Sequence, residues 1–358
     1  MKQILQVSPQ VHTGAGLLIT TLLRDETNNI HSIITSDDLL EDNPSNRSLN
    51  TLSLNNRMYK IDVFHRDKPN YYKIFPKLCK IFSYINPDIV HSHNGYTALL
   101  SSRVIKHLKL KAKHISTFHS FGISRPFWMT KQDIRGFNSV DIMTTVCSFN
   151  TKILYNLGLS KPCIISPVYT KPISIYSHPY TFKDSVFLSV CSIEPRKNLL
   201  DLIKIFHLLN TIYNMNLKLY IIGKVIDTNY YTTLLKYIYE QKAYNIVFTG
   251  YEHNPENYYK NATFYISTSI SEGFGISILD AMSYGCIPIV NRVEGLLDFT
   301  DDKNSININL TNLDETVYNI YNIMTNKLQI ENLQLQGMLT ALKYPKENFL
   351  KFWTNMYE

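Results

Sequence analysis

The sequence lacks the features that mark membrane-spanning, disulfide-bonded and zinc-bound proteins. It has five cysteines among 358 residues, and no two of them form a CxxC pair. Scattered thiols in odd number favour neither a disulfide framework nor a zinc site, and they are typical of a reducing compartment. No run approaches the roughly 18 apolar residues that a membrane span needs, and the first residues, MKQILQVSPQ, have no signal-peptide pattern. We therefore expect a soluble, cytoplasmic protein.

Positive charge is in excess only in the first half of the chain. Residues 1–175 contain 21 Lys and Arg against 11 Asp and Glu, whereas residues 176–358 contain 15 against 18. An excess confined to one half predicts that this half faces something anionic, such as a phosphate group, a nucleic acid or an acidic membrane surface.

The chain alternates short buried-type strands with longer amphipathic segments, which is typical of parallel α/β sheets. In the first half, the predicted strands are QILQV, HSIIT, YKIDVF, DIVHSH, KHISTFH, DIMTTVC and CIISPVY. Predicted helices between them include GLLITTLLRDE, YYKIFPKLCKIFSYIN and YTALLSSRVIKHLKL. In the second half, the predicted strands are VFLSVCSI, LKLYIIG, NIVFTG, TFYIST and IPIVN, and the helices include NLLDLIKIFHLLNTIY, YYTTLLKYIYEQKA, ISILDAMSYG and LDETVYNIYNIMT.

The length suits two domains rather than one. The prediction is two Rossmann-like, doubly wound α/β domains at 1–168 and 186–341, joined by a Pro-containing linker at 169–185, with a final helix within 342–358. Two such domains are expected to face a cleft, and ligands of such sheets bind beyond the carboxyl ends of the strands.

The stretch SEGFGISILDAMSYG follows one of the predicted strands and opens a helix. Its glycines, Gly273 and Gly275, allow a ligand to approach the backbone, and free N–H groups at a helix start favour anions. Glu272 and Asp280 offer carboxylate oxygens that suit sugar hydroxyls and a vicinal diol such as ribose. The alternative is that Glu272 caps the helix and Asp280 is a solvated surface acid.

The stretch SVCSIEPRKNLLDLIKIF places two adjacent cations between a strand and a helix. Arg196 and Lys197 can neutralise a diphosphate at that position, and Asn198 is a suitable helix cap. An exposed basic turn is the alternative.

Two candidate positions lie in the first half. Gly14 and Gly16 form a first βα turn that does not fit GxGxxG, so it either approaches a ligand or merely reverses the chain. His119 ends a predicted strand, where it can form a hydrogen bond to a substrate or transfer a proton. A lone histidine, however, is more often structural. His91 and His93 share one strand but have no acidic or cysteine partner at metal-ligand spacing, which disfavours a metal site.

Two basic, amphipathic stretches, at residues 71–82 and 103–114, carry aromatic side chains or several lysines. They can lie on an anionic bilayer surface, or they can simply be solvated helix faces. Nucleic acid is disfavoured as a partner because no recognition motif is present.

The order of these motifs resembles the family 4 glycosyltransferases, which have the two-domain GT-B fold. The resemblance covers essentially the whole chain and is most specific at SEGFGISILDAMSYGCIPIV and SVCSIEPRKNL. The tail ENFLKFWTNMYE is similar to the family's last helix, which crosses back to the first domain. The resemblance implies transfer of a sugar from a nucleotide-diphosphate donor, with retention of anomeric configuration, no bound metal and no other cofactor.

The resemblance also implies roles in the second domain. Glu272 would contact the donor sugar and Asp280 would hold the ribose. Arg196 and Lys197 would bind the diphosphate and stabilise the leaving group electrostatically, in place of a metal.

For the remaining positions, the resemblance implies contacts close to the reaction. Gly275 and Ile276 would offer backbone N–H groups to the donor, and His119 would lie beside the reacting sugar. Gly14 and Gly16 would line the junction of donor phosphate and acceptor.

The sequence departs from the family pattern at two places. The family's second acid is usually glutamate, whereas Asp280 is one methylene shorter, which predicts a weaker or water-mediated ribose contact. Many members carry arginine in a GR pair where this chain has Cys191-Ser192. One subgroup, rich in mannosyltransferases, has GS or GT there.

The sequence thus predicts a retaining hexosyltransferase that uses a GDP- or UDP-sugar. The expected acceptor is a lipid-linked, lipopolysaccharide-type or capsule-type glycan at the inner face of a membrane, to which the basic half would bind peripherally. The alternatives are a catalytically weak or inactive GT-B protein that binds sugar nucleotides as a scaffold, and a sugar-nucleotide epimerase of GT-B fold. An NAD-dependent enzyme is the weakest alternative, for want of a glycine fingerprint.

Overall fold

The computed structural model describes two compact units that are discontinuous in sequence. The first unit comprises Met1–Val168 and Lys346–Glu358, and the second comprises Tyr169–Pro345. The described residues are 1–9, 14–36, 57–61, 71–120, 126–172, 185–252 and 254–358, with residues 57 and 71 described by backbone alone. Most of the predicted linker, residues 173–184, lies outside them.

A seven-stranded parallel sheet, in the order β3-β2-β1-β4-β5-β6-β7, forms the centre of the first unit. Its strands are β1 (Gln3–Val7), β2 (Ile30–Thr35), β3 (Arg57–Lys60), β4 (Ile89–Ser92), β5 (Lys113–Phe118), β6 (Ile142–Thr145) and β7 (Cys163–Ile165). The helices of this unit are α1 (Gly14–Asp25), α2 (Tyr71–Ile85), α3 (Gly95–Leu108), α4 (Phe127–Asn138) and α5 (Ser148–Asn156), with α12 (Lys346–Tyr357) from the end of the chain.

A six-stranded parallel sheet, in the order β10-β9-β8-β11-β12-β13, forms the centre of the second unit. Its strands are β8 (Val186–Val190), β9 (Lys218–Ile222), β10 (Ile246–Gly250), β11 (Phe264–Ser267), β12 (Ile287–Val290) and β13 (Ile306–Asn307). Its helices are α6 (Leu199–Ile212), α7 (Thr228–Glu240), α8 (Glu256–Asn261), α9 (Ile276–Ser283), α10 (Leu313–Met324) and α11 (Lys327–Ala341).

Apolar side chains on both faces of the central strands explain why these segments form buried parallel strands. In the second unit, Phe187, Leu219, Phe264 and Ile289 are fully buried in one core with the apolar stripes of the surrounding helices. Burying one such side chain contributes about 1.5–3 kcal/mol.

Helix α12 packs on the first unit through aromatic side chains. Phe349, Trp353 and Tyr357 are at most 2% exposed. The Trp353 ring lies 4.5 Å from the ring of His91 in β4, and the Lys346 ammonium lies 2.5 Å from Asp25 at the end of α1. The last helix therefore completes the core of the unit that contains the first residues of the chain.

The structure confirms the predicted fold class. The predicted strands recur as β1 to β12, although part of YKIDVF lies outside the described residues. Helices α4, α5, α8 and α11 and the two-residue strand β13 were not among the predicted elements. Among the described residues, no helix has the length and apolar character required to cross a bilayer.

Candidate functional site

Two loops of the second unit meet beyond the carboxyl ends of neighbouring strands. Strands β8 and β11 pair in parallel, so the loops that follow them emerge at the same edge of the sheet. The first loop contains a 3₁₀ turn, Pro195–Lys197, and the second runs to the start of α9. The Ile270 N–H donates to the Arg196 carbonyl over 2.9 Å, and the Thr268 hydroxyl donates to the Asn198 carbonyl over 2.8 Å. These bonds hold the two loops together.

Charged side chains from the two loops form one cluster. Lys197 Nζ lies 2.5 Å from Glu272 Oε1, and Arg196 Nη1 lies 3.9 Å from Glu272 Oε2. The Arg196 guanidinium also donates to the Ser271 carbonyl over 2.8 Å and to Glu194 Oε1 over 2.9 Å. The Arg196 and Lys197 side chains are thus 23% and 11% exposed and ion-paired, and the alternative of an exposed basic turn is wrong.

The two cations control the ionisation of Glu272. Burial by itself raises the pKa of the Glu272 carboxyl, but the charges of Lys197 and Arg196 outweigh burial and hold the pKa below its ordinary value. Glu272 is therefore ionised at neutral pH, and its carboxylate acts as a hydrogen-bond acceptor.

Glu294 fixes the backbone of the second loop. Its Oε2 accepts the Ser271 hydroxyl over 2.6 Å and the Glu272 N–H over 2.7 Å. Glu294 has a φ of 43°, in the left-handed region that costs a non-glycine residue free energy. Strain of this kind persists where the surrounding structure determines the conformation.

Glycines allow the loop and its neighbours to pack closely. Gly275 is the N-cap of α9, with a φ of 90° and no side-chain capping bond. The alternative that Glu272 caps this helix is therefore wrong. At Gly295, an added Cβ would lie 2.1 Å from the Gly273 carbonyl oxygen, so only glycine fits without moving the backbone.

Asp280 lies about one turn inside α9, after Ile276. Its side chain is buried, and Oδ1 accepts the Thr170 hydroxyl over 2.8 Å and the Lys171 N–H over 3.1 Å. Burial raises the pKa of the Asp280 carboxyl, against the opposing hydrogen bonds from Thr170 and Lys171. The alternative of a solvated surface acid is wrong, because one carboxylate oxygen holds the backbone at the start of the second unit.

The remaining predicted residues belong to the first unit. Gly14 and Gly16 lie in the first turn of α1, and residues 10–13 before it lie outside the described residues. His119 follows β5, and burial lowers its pKa to about 4. Its Nε2 lies 3.3 Å from Nδ1 of His93.

Sequence reasoning missed three polar residues that shape the cluster: Glu194, Ser271 and Glu294. Glu194 accepts both from Arg196 and from the Ser192 hydroxyl, the latter over 2.6 Å. The acid inside EPRKN was a usable signal for this role. The acid-glycine pair Glu294-Gly295, just after a buried strand, was another.

The arrangement presents positive charge and backbone N–H groups at one sheet edge. Two cations flank one ionised acceptor, and a helix begins in the same loop with its positive dipole end. Such a site can bind an anionic group while the carboxylate accepts bonds from hydroxyls. Among the described residues, no three His, Cys, Asp or Glu side chains cluster as a metal site would require.

Comparison with known families assigns the part of the chain that carries this cluster. Residues 177–333 match the family described as "Glycosyl transferases group 1". The matched residues lie within the second unit and include Arg196, Lys197 and Glu272.

Two curated glycosyltransferases are similar to the chain over part of their length. Over 232 residues it is 25% identical to the capsular polysaccharide biosynthesis glycosyltransferase CapH of Staphylococcus aureus, covering 62% of this chain and 64% of CapH. Over 124 residues it is 32% identical to poly(glycerol-phosphate) alpha-glucosyltransferase of Bacillus subtilis, covering 33% of this chain and 18% of that protein. The matched parts thus span less than two thirds of either relative.

Among solved structures, the fold is similar to that of Anabaena HepE in complex with UDP and glucose. The two chains superpose with a TM-score of 0.83 at 11% identity, and the match covers 99% of each. At this identity the likeness shows the fold alone, which is the GT-B fold with its two parallel-sheet α/β domains.

Proposed function

We propose that the chain is a retaining family 4 glycosyltransferase that moves a sugar from a nucleotide-diphosphate donor to a glycan acceptor. The observation that carries this proposal is the cluster of Arg196, Lys197 and Glu272 at the mouth of α9. It lies within the glycosyltransferase domain and combines diphosphate-binding cations with a hydroxyl-binding carboxylate.

The cluster suggests how the donor is held and activated. Arg196 and Lys197 bind the diphosphate and stabilise the negative charge that grows on it as its bond to the anomeric carbon breaks. To reach the phosphates, Lys197 exchanges part of its contact with Glu272, whose carboxylate then accepts from hydroxyls of the donor sugar. Backbone N–H groups of Gly275 and Ile276 add to the anion site.

Asp280 contributes to donor binding through its second oxygen. Oδ1 already accepts from Thr170 and Lys171, so only Oδ2 remains to accept from the ribose. From the first unit, His119 is proposed to contact the reacting sugar, and the Gly14 and Gly16 backbone to contact the phosphates and the acceptor.

The relatives guide the choice of substrates. CapH is named for capsular polysaccharide biosynthesis, the Bacillus relative for poly(glycerol-phosphate), and the HepE structure contains UDP. We propose a UDP-sugar donor ahead of a GDP-sugar, and a polyanionic or lipid-linked surface-glycan precursor as acceptor. The two cations supply the positive charge at the diphosphate, so transfer is expected to proceed in EDTA.

Replacing Glu272 by alanine is expected to reduce transfer at least about 100-fold, because an electrostatic contact to the reacting sugar is lost. The measurement is incorporation of radiolabelled sugar from UDP-glucose, UDP-galactose, UDP-N-acetylglucosamine and GDP-mannose into lipid extracts and teichoic-acid or capsule acceptors. Glu240→Ala is the matched control, because Glu240 pairs with Lys236 on the surface of α7 and its loss should leave transfer unchanged.

Other outcomes of the same assay would contradict the proposal. Wild-type turnover in Glu272→Ala would show that Glu272 is not part of the site. Conversion of the donor without acceptor would indicate an epimerase, and donor binding without turnover would indicate a scaffold protein. A product whose anomeric configuration is inverted relative to the donor, read from its NMR coupling, would contradict retention.

Peripheral membrane binding through the first unit is part of the proposal. Helices α2 and α3 bury one face together, with Ile74, Leu78 and Val104 in a common core. Their other faces expose basic and aromatic side chains: Tyr72, Lys73, Lys77, Lys80, Tyr84, Arg103, Lys106 and Lys109. Each such cation near an anionic bilayer contributes about 1 kcal/mol.

Binding to vesicles that contain phosphatidylglycerol is expected, and it should weaken several-fold between 50 and about 300 mM salt because the attraction is screened. Co-sedimentation with anionic and neutral vesicles measures this. Replacing Lys73, Lys77 and Lys80 by glutamine should weaken binding, whereas the same change at Lys236 on α7 should not. Binding that is indifferent to lipid charge and salt would contradict this part of the proposal.

A further inference from the structure

A continuous chain of polar side chains crosses the sheet of the first unit and ends at His119. It passes from Glu26, after α1, through His31 in β2, Gln6 in β1 and His93 after β4. The successive distances are 2.7 Å from Glu26 Oε2 to His31 Nε2, 3.3 Å from His31 Nδ1 to Gln6 Nε2, 2.8 Å from Gln6 Oε1 to His93 Nε2, and 3.3 Å from His93 Nδ1 to His119 Nε2.

These side chains are almost completely removed from water. His31 and Gln6 are 0% exposed, Glu26 is 4% exposed and His93 is 7% exposed. Leaving a buried donor without a partner costs about 1–3 kcal/mol of free energy. Each group in such a chain therefore acts as donor or acceptor in the way that keeps its neighbours hydrogen-bonded.

Glu26 sets the direction of the chain at one end. Burial raises the pKa of its carboxyl, but the hydrogen bonds from His31 and Asn29 outweigh burial and lower the pKa, so the group is ionised and can only accept. His31 therefore donates from Nε2, and because the Gln6 amide nitrogen lies 3.3 Å from Nδ1, the neutral form of His31 accepts there. The Gln6 amide nitrogen donates the hydrogen bond to His31 Nδ1. The Gln6 carbonyl oxygen therefore faces His93.

A second branch of hydrogen bonds fixes the same orientation of Gln6. Its amide nitrogen donates to the Tyr357 oxygen over 3.0 Å, and the Tyr357 hydroxyl lies 2.8 Å from His91 Nδ1. His91 Nε2 lies 2.7 Å from the Thr117 hydroxyl, which lies 2.7 Å from that of Thr144.

The far end of this branch is also an acceptor. The Thr144 hydroxyl donates to the Ser116 carbonyl over 3.3 Å, so its oxygen accepts from the Thr117 hydroxyl. Because Thr117 has then used its only proton, it accepts from His91 Nε2. His91 in turn accepts at Nδ1 from the Tyr357 hydroxyl. The oxygen of Tyr357 is then left to accept from Gln6. The two ends, a carboxylate and a backbone carbonyl, therefore favour the same Gln6 orientation.

The orientation of Gln6 determines the tautomer of both following histidines. The Gln6 oxygen accepts, so His93 carries its proton on Nε2 and accepts at Nδ1. His119 then donates from Nε2, and its Nδ1 becomes a hydrogen-bond acceptor.

We propose that the chain from Glu26 through Gln6 holds His119 in the Nε2-protonated tautomer, so that Nδ1 accepts a hydrogen bond from a substrate hydroxyl. The proposal rests on the proposed function for the identity of that hydroxyl, a sugar hydroxyl at the point of transfer. Glu26, His31, Gln6 and His93 are positioning residues that act through His119. The lowered pKa of His119 agrees with a neutral, accepting ring at physiological pH.

The tautomer can be measured without substrate on the full chain labelled with ¹⁵N-histidine. In long-range ¹H–¹⁵N correlation spectra, assigned by the loss of signals in His119→Gln, wild-type His119 is expected to be protonated on Nε2 by more than tenfold over Nδ1. Gln6→Met removes the acceptor for His93, and the tautomer ratio at His119 should fall toward one.

Two variants serve as controls. Gln6→Glu keeps an acceptor opposite His93 and should retain the wild-type tautomer. Tyr357→Phe removes the second branch but leaves the link from Glu26 intact, and should also retain it. If Gln6→Met does not fold, the double variant Glu26→Gln/Tyr357→Phe removes both ends that orient Gln6 and should move the ratio in the same direction.

Kinetics test the functional half of the proposal. Gln6→Met is expected to lower kcat for transfer about tenfold with an unchanged KM for the donor, and Gln6→Glu should restore most of kcat. His119 protonated on Nδ1 in the wild type, or a tautomer ratio that Gln6→Met and the double variant Glu26→Gln/Tyr357→Phe both leave unchanged, would overturn the inference. An altered ratio with unchanged kcat would overturn its functional half. Absence of transfer in the wild type would instead count against the proposed function and leave the tautomer result standing.

Discussion

Lys197→Ala is expected to reduce kcat for sugar transfer by about 10²–10³-fold, the loss typical of removing one preorganised stabiliser of developing charge. Lys197 lies 2.5 Å from Glu272 and is held there by the loop contacts of its own backbone. Its ammonium is therefore already held in the cluster that is proposed to bind the leaving diphosphate. Steady-state transfer from the preferred nucleotide sugar measures the effect.

Lys204→Ala is the matched control for this substitution. Lys204 lies on α6 of the same unit and pairs with Asp201 over 2.9 Å, outside the cluster at the sheet edge. It should transfer sugar at the wild-type rate. Both variants should melt within a few degrees of the wild type, because Arg196 still faces the Glu272 carboxylate. Near-wild-type kcat in Lys197→Ala would show that the diphosphate binds elsewhere.

Gly295→Ala is expected to lower the free energy of unfolding by about 1–3 kcal/mol and to abolish donor binding. The new methyl group would lie 2.1 Å from the Gly273 carbonyl oxygen and 2.8 Å from Phe274 Cα. Because both neighbours are backbone atoms, the loop that carries Glu272 must move. Chemical denaturation measures the first effect and nucleotide titration the second.

Gly337→Ala, within helix α11, is the control, because this change is expected to leave the free energy of unfolding unchanged or to raise it. There an added Cβ would lie 3.5 Å from Met282 Cγ, an ordinary contact. Because glycine inside a helix costs about 0.5–1 kcal/mol relative to alanine, this variant should be as stable as the wild type or more so, with donor binding intact. If Gly295→Ala were as stable as the wild type and bound donor, the close packing of the two loops would not matter for the site.

The fold was largely predictable because parallel sheets require nearly continuous apolar strands. Segments such as QILQV and VFLSV appear as strands, and their spacing leaves room for one helix between each pair. Helix α11 escaped prediction because its apolar residues do not form one continuous stripe. Ile330 and Leu333 are buried, whereas Leu328 and Leu335 are exposed.

The site was predictable where a residue type has one evident chemical use. Adjacent cations after a strand and an acid beside glycines indicated Arg196, Lys197 and Glu272, and the structure brings these three together. Glu294 was not predictable from local pattern, because its role depends on a contact with a loop 22 residues away.

The buried network behind His119 was hidden for a related reason. Gln6 and His31 lie in strands that are partly apolar and buried, and their partners come from distant parts of the sequence. The bond between Gln6 and Tyr357 spans 351 residues. Only the order of strands in the folded sheet, β2-β1-β4-β5, aligns these side chains. The polar residues inside these buried strands were a usable signal for such a network.

The central claim is that a nucleoside diphosphate binds at Arg196, Lys197 and Glu272. The most direct test is the melting temperature of the wild type and of Lys197→Ala with and without saturating UDP, GDP, ADP or dTDP. A ligand at about 100 times its Kd stabilises the folded state by about 2.7 kcal/mol. We predict a clear rise for the wild type with one of these nucleotides, UDP first, and little or none for Lys197→Ala. Equal rises in both proteins, or no rise with any nucleotide, would contradict the account.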